Sequence, residues 1–312
     1  MANARLGEVT LIERIRASGR GRNAAVRMGI GDDCAVLRVP AGCEMVVTTD
    51  FSLEGRHFRR DWHTAESVGH RCLARGLSDV AAMGAKPVAA FLSLGLPAGY
   101  ELKWVDRFMA GFGALAEKHG VELAGGDTAQ VTGEEIVMDV VVTGAVKRRK
   151  ALLRSGARVG DKLYVTGKLG GATMELAALA AGKRCPRRAE EGHPHTFPVP
   201  RVEVGLALVR RGIASACIDL SDGLSTDLGH LCKASGVGAE LGDVPLADGA
   251  SLDQGLRGGE DYELLFAARA GVKVPRTIRG VEMTCIGRVV EGNLVRFQGS
   301  TMKAGGWEHF RS

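Results

Sequence analysis

The chain has 312 residues, about two domains at ~100–200 residues each, with 45% hydrophobic and 25% charged residues, ordinary for a soluble globular protein. A formal net charge of +5 suits small anionic substrates and is too weak to argue for nucleic acid. No apolar run approaches the ~18–20 residues of a membrane span, and the N-terminus lacks the apolar core of a signal peptide. Seven scattered cysteines without a C-x-x-C pair predict free thiols in a reducing cytoplasm, with neither zinc site nor disulfide framework.

In chain order, EMVVTTD (44–50) predicts a β-strand ending in an acid. Residues 65–83 predict a helix with Val68, Cys72, Leu73, Gly76, Leu77 and Val80 on one stripe. A strand over 91–96, a helix over 102–119 stopped by Gly120, a short strand over 121–126 before Asp127, and a long strand over 136–146 follow. The basic stretch KRRKALLR (147–154) leads into a second unit, with the boundary expected near residue 150. That unit opens with a strand over 162–167, a glycine-rich turn and a helix to about 181. Residues 182–201 predict a loop, 202–211 a helix, 215–220 a strand, and 221–234 a helix. A segment over 259–268, a strand near 284–290, a hairpin at 291–293 and the tail GGWEHF complete the chain.

Acids recur at expected strand ends: Asp50, Asp127 and Asp219, with Asp32 and Asp33 in the turn GIGDD and Asp79 in an apolar helix. Ligands gather at the carboxyl ends of strands in α/β folds, and an oxygen-only set of carboxylates suits a hard cation such as Mg²⁺. Plain structural roles compete at single positions. Asp79 is also compatible with a helix-surface pair to Arg75, Asp222 with a helix cap, and Asp32 and Asp33 with turn formation. Asp227 reads as mainly structural.

There is no P-loop and no protein-kinase signature set; Gly111–Phe112–Gly113 reads as packing. Gly125–Gly126–Asp127 would let backbone N–H groups approach a phosphate beside an acid. Ser221 and Asp222 are expected to begin a helix whose free N–H groups favour phosphate, and Arg154 offers a bidentate phosphate contact or a solvated surface charge.

With these residues noted, the chain resembles the thiamine-monophosphate kinase family. The motifs that carry the likeness are GIGDDCAVL (29–37), TTDFSLEGRHF (48–58), GLSDVAAMGAKP (76–87), GGDT (125–128), RSGARVGD (154–161), IDLSDGLSTDLGHL (218–231), GGEDYELLF (258–266) and GWEHF (306–310). The resemblance implies a two-domain α/β fold of the aminoimidazole-ribotide-synthetase-like superfamily: residues 1–149 for ATP and Mg²⁺ binding and dimerisation, and 150–312 completing the active site. It also implies a homodimer whose N-terminal sheets join, and the reaction of ATP with thiamine phosphate to give ADP and thiamine diphosphate. Several Mg²⁺ ions are expected as cofactor, and neither nucleic acid nor membrane is expected as a partner.

Carried over position by position, Asp33, Thr48, Thr49, Asp50, Asp79, Asp127, Asp219 and Asp222 look like magnesium positions. Gly126, Asp127, Arg154 and Ser221 look like ATP positions, and His57, Glu260 and Trp307 like thiamine-phosphate positions. Phe51, Ser52 and Gly76 depart from the family pattern without removing a proposed ligand. Taken alone, His57 also reads as a surface or cap histidine, Trp307 as a packing residue and Glu260 as a turn acid. A phosphate-monoester nucleophile, with a second pKa of about 6, needs no general base, so no covalent nucleophile or catalytic base is expected. The alternatives are another ATP-dependent synthetase of the superfamily, of purine-biosynthesis or selenophosphate type, and a binding module without turnover. Cys34 has no nearby lysine of the kind the selenophosphate type requires.

Overall fold

The computed structural model describes residues 7–31, 34–186 and 193–307. The first half runs α1 (Glu8–Ser18), β1 (Val26–Met28), β2 (Val36–Leu37), β3 (Cys43–Leu53), α2 (Ala65–Ala82), β4 (Lys86–Pro97), α3 (Leu102–His119), β5 (Glu122–Val131) and β6 (Val137–Lys147). The second half begins with β7 (Lys162–Thr166), α4 (Gly171–Ala180), α5 (Val202–Arg211), β8 (Ala214–Asp219), α6 (Leu224–Ser235), β9 (Gly238–Leu241) and α7 (Leu252–Arg257). It ends with β10 (Leu264–Ala268), β11 (Thr277–Ile278), β12 (Val281–Val290), β13 (Val295–Phe297) and β14 (Ser300–Thr301).

Two main sheets result. The first has the order β3-β6-β4-β5, antiparallel except for the parallel pair β4–β5 that α3 connects. The second follows β14-β13-β9-β12-β7-β10-β8, with β11 added on β12. The expected hairpin at 291–293 does not form: β13 pairs in parallel with β9, not with β12. Local turn residues mark a change of direction, but strand pairing here is decided by distant partners.

α2 explains how the halves meet. Its N-cap Thr64 accepts from Ser67 N–H, and it is buried on nearly every side rather than along one stripe. α3 crosses it where both helices carry glycine: a Cβ on Gly69 would lie 2.0 Å from the Phe108 carbonyl oxygen, and one on Gly111 would lie 1.9 Å from that of Glu66. Gly111 is therefore a packing glycine, as its sequence setting suggests. Gly111→Ala gains about 1 kcal/mol of helix propensity. The forced separation of two backbones costs more, about 3 kcal/mol. A net loss of about 2 kcal/mol is expected in urea unfolding.

Against the first sheet, α2 lies flat at Gly76, whose Cβ would meet Val142 Cγ2 at 2.6 Å. That closeness brings Asp79, one turn on, to the strands. Even-numbered β6 residues Met138, Val140 and Val142 are buried under the helices. On the opposite face the β1–β2 segment covers Ala89 and Ala124, but β3 is left open there, with Val47 66% and Phe51 58% exposed. Thr49 shares that face and donates to Asp139 Oδ1 at 2.6 Å.

Candidate active site

A pocket of about 570 Å³ opens between the two sheets. Asp50, Asp79, Asp219, Ser221 and Asp222 line it together with His57, Arg75, Glu260, Tyr262 and Trp307. The carboxylates reach it from different elements and not all from strand ends. Asp219 does close β8, but Asp50 lies inside β3, paired in register with Val140. Asp127 likewise lies inside β5. Both strands run past their acids because strand length follows ladder partners that apolar runs do not reveal.

Asp79 accepts from Thr48 Oγ1 and Asp219 from Ser78 Oγ at 2.7 Å. Burial, and then Asp79 beside it, pushes Asp219 up to about 7. Asp79 is raised by burial and by Asp50, against the Thr48 hydrogen bond. Such crowded, oxygen-only acids fit a hard dication, which would relieve the repulsion that now favours their protonated forms.

Ser221 and Asp222 sit in the turn before α6, not in its first turn. The N–H groups of Asp222 and Gly223 are satisfied by Asp227 Oδ2 at 3.1 and 3.0 Å, so they are not the phosphate donors expected there. Asp227 has the structural role its position suggested. The Ser221 carbonyl accepts from Glu260 N–H, and that of Asp222 from Trp307 N–H at 3.0 Å, which ties the tail to the metal side of the pocket.

Glu260 is the most elaborately held side chain. Its backbone has φ 66, outside the range most residues adopt. Oε1 accepts from Arg71 Nη2 at 2.8 Å, and Oε2 lies 3.2 Å from His195 Nδ1. Burial opposes its charge, yet Arg71, His195 and Arg75 hold it well below the usual carboxylate range. His195 Nε2 in turn meets His63 Nε2 at 3.0 Å, and His63 Nδ1 lies within hydrogen-bond reach of both the N–H and the carbonyl oxygen of Arg59. With His63 Nδ1 accepting from Arg59 N–H, two neutral imidazoles each pass one N–H toward Glu260. His57 Nδ1 accepts from Leu53 N–H, which leaves the ring proton on Nε2.

The histidine pair predicts an acid limit to stability. Burial, then Arg71 and His195, push His63 down to about 3. Unfolded His63 takes a proton below about pH 6.5 and the folded group does not, so stability complete above 6.5 is lost as pH falls toward 3. At pH 5 this cost is about 2 kcal/mol. Urea titrations at pH 7.5 and 5 are expected to show wild type losing about that much more than His63→Gln.

Several expected positions lie away from the pocket lining. Gly126 and Asp127 are exposed on β5, and Gly126 is required for a packing reason, since its Cβ would stand 1.9 Å from the Leu92 carbonyl oxygen. Arg154 is exposed outside the lining, although its charge favours ionised Asp79 and Asp219. Thr49 faces the uncovered side of the sheet. Asp33, like Asp32, lies outside the described residues. The sequence reasoning missed Arg71, Arg75, His63, His195 and Tyr262. Arg75 carried a signal, being a cation on a helix otherwise rich in small and apolar residues, but it was paired with Asp79. In the fold it reaches Asp50 instead, through Nη2 at 2.7 Å.

Residues 31–146 match the family model AIR synthase related protein, N-terminal domain, and residues 158–299 match its C-terminal domain. The thiamine-monophosphate kinase of Salmonella typhimurium is 39% identical over 97% of this chain and 98% of its own length, and that of Escherichia coli K12 is 37% identical with the same coverage. The chain belongs to the thiamine-monophosphate kinase family. Its phosphotransferase class follows from that membership. Among solved structures, the thiamine-monophosphate kinase from Stenotrophomonas maltophilia K279a superposes with a TM-score of 0.81 at 36% identity, covering 95% of this chain and 98% of that one. AaThiL complexed with AMPPCP and TMP superposes at 0.78 and 32% identity, covering 99% and 100%.

Proposed function

We propose that the chain transfers the γ-phosphoryl group of ATP directly to thiamine phosphate, giving thiamine diphosphate. The observation that carries this is the convergence of Asp50, Asp79, Asp219 and Asp222 on the same pocket as His57, Glu260 and Trp307. A kinase of two polyanions needs a way to neutralise both and a way to orient the acceptor, with no nucleophile of its own. Asp50, Asp79, Asp219 and Asp222, with Thr48 supporting Asp79, would hold Mg²⁺ ions. Asp33 and Asp127 belong to the same proposed set; Thr49, whose side chain faces the other side of β3, would join it through its main chain alone. Bound there, the metal supplies charge neutralisation for the phosphates.

The chain's own residues do the remaining work. Glu260, ionised and fixed by Arg71 and His195, pairs with the aminopyrimidine. Trp307 offers an aromatic face to the cationic thiazolium. His57 orients the acceptor through Nε2. Gly126, Asp127, Arg154 and Ser221 contact ATP. Residues 1–149 carry the dimer contact and part of the ATP and metal groups, and 150–312 complete the site with Arg154, Asp219, Ser221 and Asp222. The open part of the first-sheet face, with Val47 and Phe51, is the surface two copies would join to form a homodimer. All seven cysteines are free, which suits the cytoplasm.

The test is purified protein with ATP, Mg²⁺ and thiamine phosphate, the product followed by chromatography as its fluorescent thiochrome. Thiamine diphosphate formed in step with ADP supports the proposal. ADP release without it, or no turnover with ATP bound, overturns it.

A further inference from the structure

We propose that Arg75 is a resident counter-ion of the metal-binding carboxylates, sharing Asp50 with the divalent cation and setting how tightly that cation is held. This deepens the metal assignment above and rests on it.

Arg75 leaves the middle of α2 with its side chain only 13% exposed. Its nearest acid in sequence is Asp79, four residues on, the default partner on a helix. It bypasses that acid. Nε and Nη2 both donate to Asp50 Oδ1, at 3.1 and 2.7 Å, while Nη1 lies 3.5 Å from Glu260 Oε1. One edge of the guanidinium thus occupies a single oxygen of Asp50 and leaves Oδ2 as that residue's second donor.

Three features separate this from an ordinary ion pair. Both partners line the functional pocket, and the same guanidinium reaches from Asp50 on β3 to Glu260 in the second half of the chain. The charge is permanent, because a guanidinium does not lose its proton in a protein. The other pocket-lining arginines are placed differently: Arg56 is exposed and makes no ion pair with the aspartates among the described residues. Arg257 pairs with Asp253, and Arg71 outside the lining is committed to Glu260 and the carbonyls of His57 and His195.

A fixed positive charge beside the aspartates performs two tasks. It offsets part of their mutual repulsion before any metal arrives, so Asp50 stays in place on β3. It also competes with the metal for Asp50, so the cation is held less tightly than four bare carboxylates would hold it. Removing a unit charge a few ångströms from a dication in partly hydrated surroundings changes its affinity by about ten-fold.

Mn²⁺ is the probe for the Mg²⁺ site, its free concentration read by electron paramagnetic resonance without nucleotide or substrate. Melting in EDTA establishes that each variant is folded. Arg75→Gln is expected to bind Mn²⁺ about ten-fold more tightly than wild type, and Arg75→Lys, which keeps the charge and loses the fork, within about two-fold of it. Folded Arg75→Gln with unchanged or weaker affinity overturns the role of Arg75. Should that variant not fold, a change in Arg75→Lys beyond about five-fold overturns it instead. Wild-type binding that Asp219→Asn removes and Arg75→Gln leaves alone sinks only the counter-ion. No binding by wild type at all sinks the metal assignment, and the inference with it.

Discussion

Asp219→Asn is expected to lower thiamine diphosphate formation by a factor of about 10³ or more, since electrostatic groups at a phosphoryl-transfer centre carry effects of that size. The substitution is isosteric and keeps an acceptor for Ser78. It removes one negative charge from a buried set in which Asp219, Asp79 and Asp50 already oppose one another. Without divalent cations, that loss relieves repulsion, so the variant should melt a few degrees higher than wild type in EDTA. With Mg²⁺ present, the order reverses: wild type gains stability from the bound ion and the variant does not. A variant that loses activity together with its fold would count against this account, because the defect would then be structural. Full activity would remove Asp219 from the metal set.

The second large effect concerns a residue with no contact to the pocket. Glu263 is buried three residues after Glu260, and it accepts from Arg201 Nε at 2.7 Å as well as from Arg201 Nη2 and Thr166 Oγ1. Thr166 Oγ1 in turn accepts from Leu264 N–H. Arg201→Met strips a buried carboxylate of its only ion-pair partner among the described residues. Breaking such a pair costs about 3–5 kcal/mol, mostly the penalty of the stranded charge. Glu263→Gln combined with Arg201→Met removes that charge and should recover at least half the loss. Urea unfolding of both singles and the double variant measures this; additive losses would show that the pair is not coupled.

How much of this was legible in the sequence differs element by element. The helix 102–119 matches α3 residue for residue, because Gly120 closes it in the left-handed conformation (φ 62) that glycine adopts freely. Strand and helix positions around Asp219 were also legible, since period-2 and period-3.6 patterns are local properties. The ends of β3 and β5 were not. Asp50 and Asp127 looked terminal because an acid interrupts an apolar run, whereas the ladders with β6 and β4 carry the strands beyond them. Asp261 shows the same limit from the other side. It satisfies Gly170 N–H and Ala172 N–H at the start of α4, ninety residues upstream, and nothing near it in sequence signals that role.

The sequence by itself determined the chemistry available: an oxygen-only set of acids, an arginine on a largely apolar helix, and a tryptophan in the tail, in motifs that mark one kinase family. Only the tertiary structure decided which acids meet, that Thr49 faces away from them, that Arg75 chooses Asp50 over Asp79, and that His195 orders Glu260. The physical reason is range. Propensity and periodicity act over a few residues. Charge pairing and burial depend on groups that are distant in the chain and adjacent only once α2 is enclosed between the two halves.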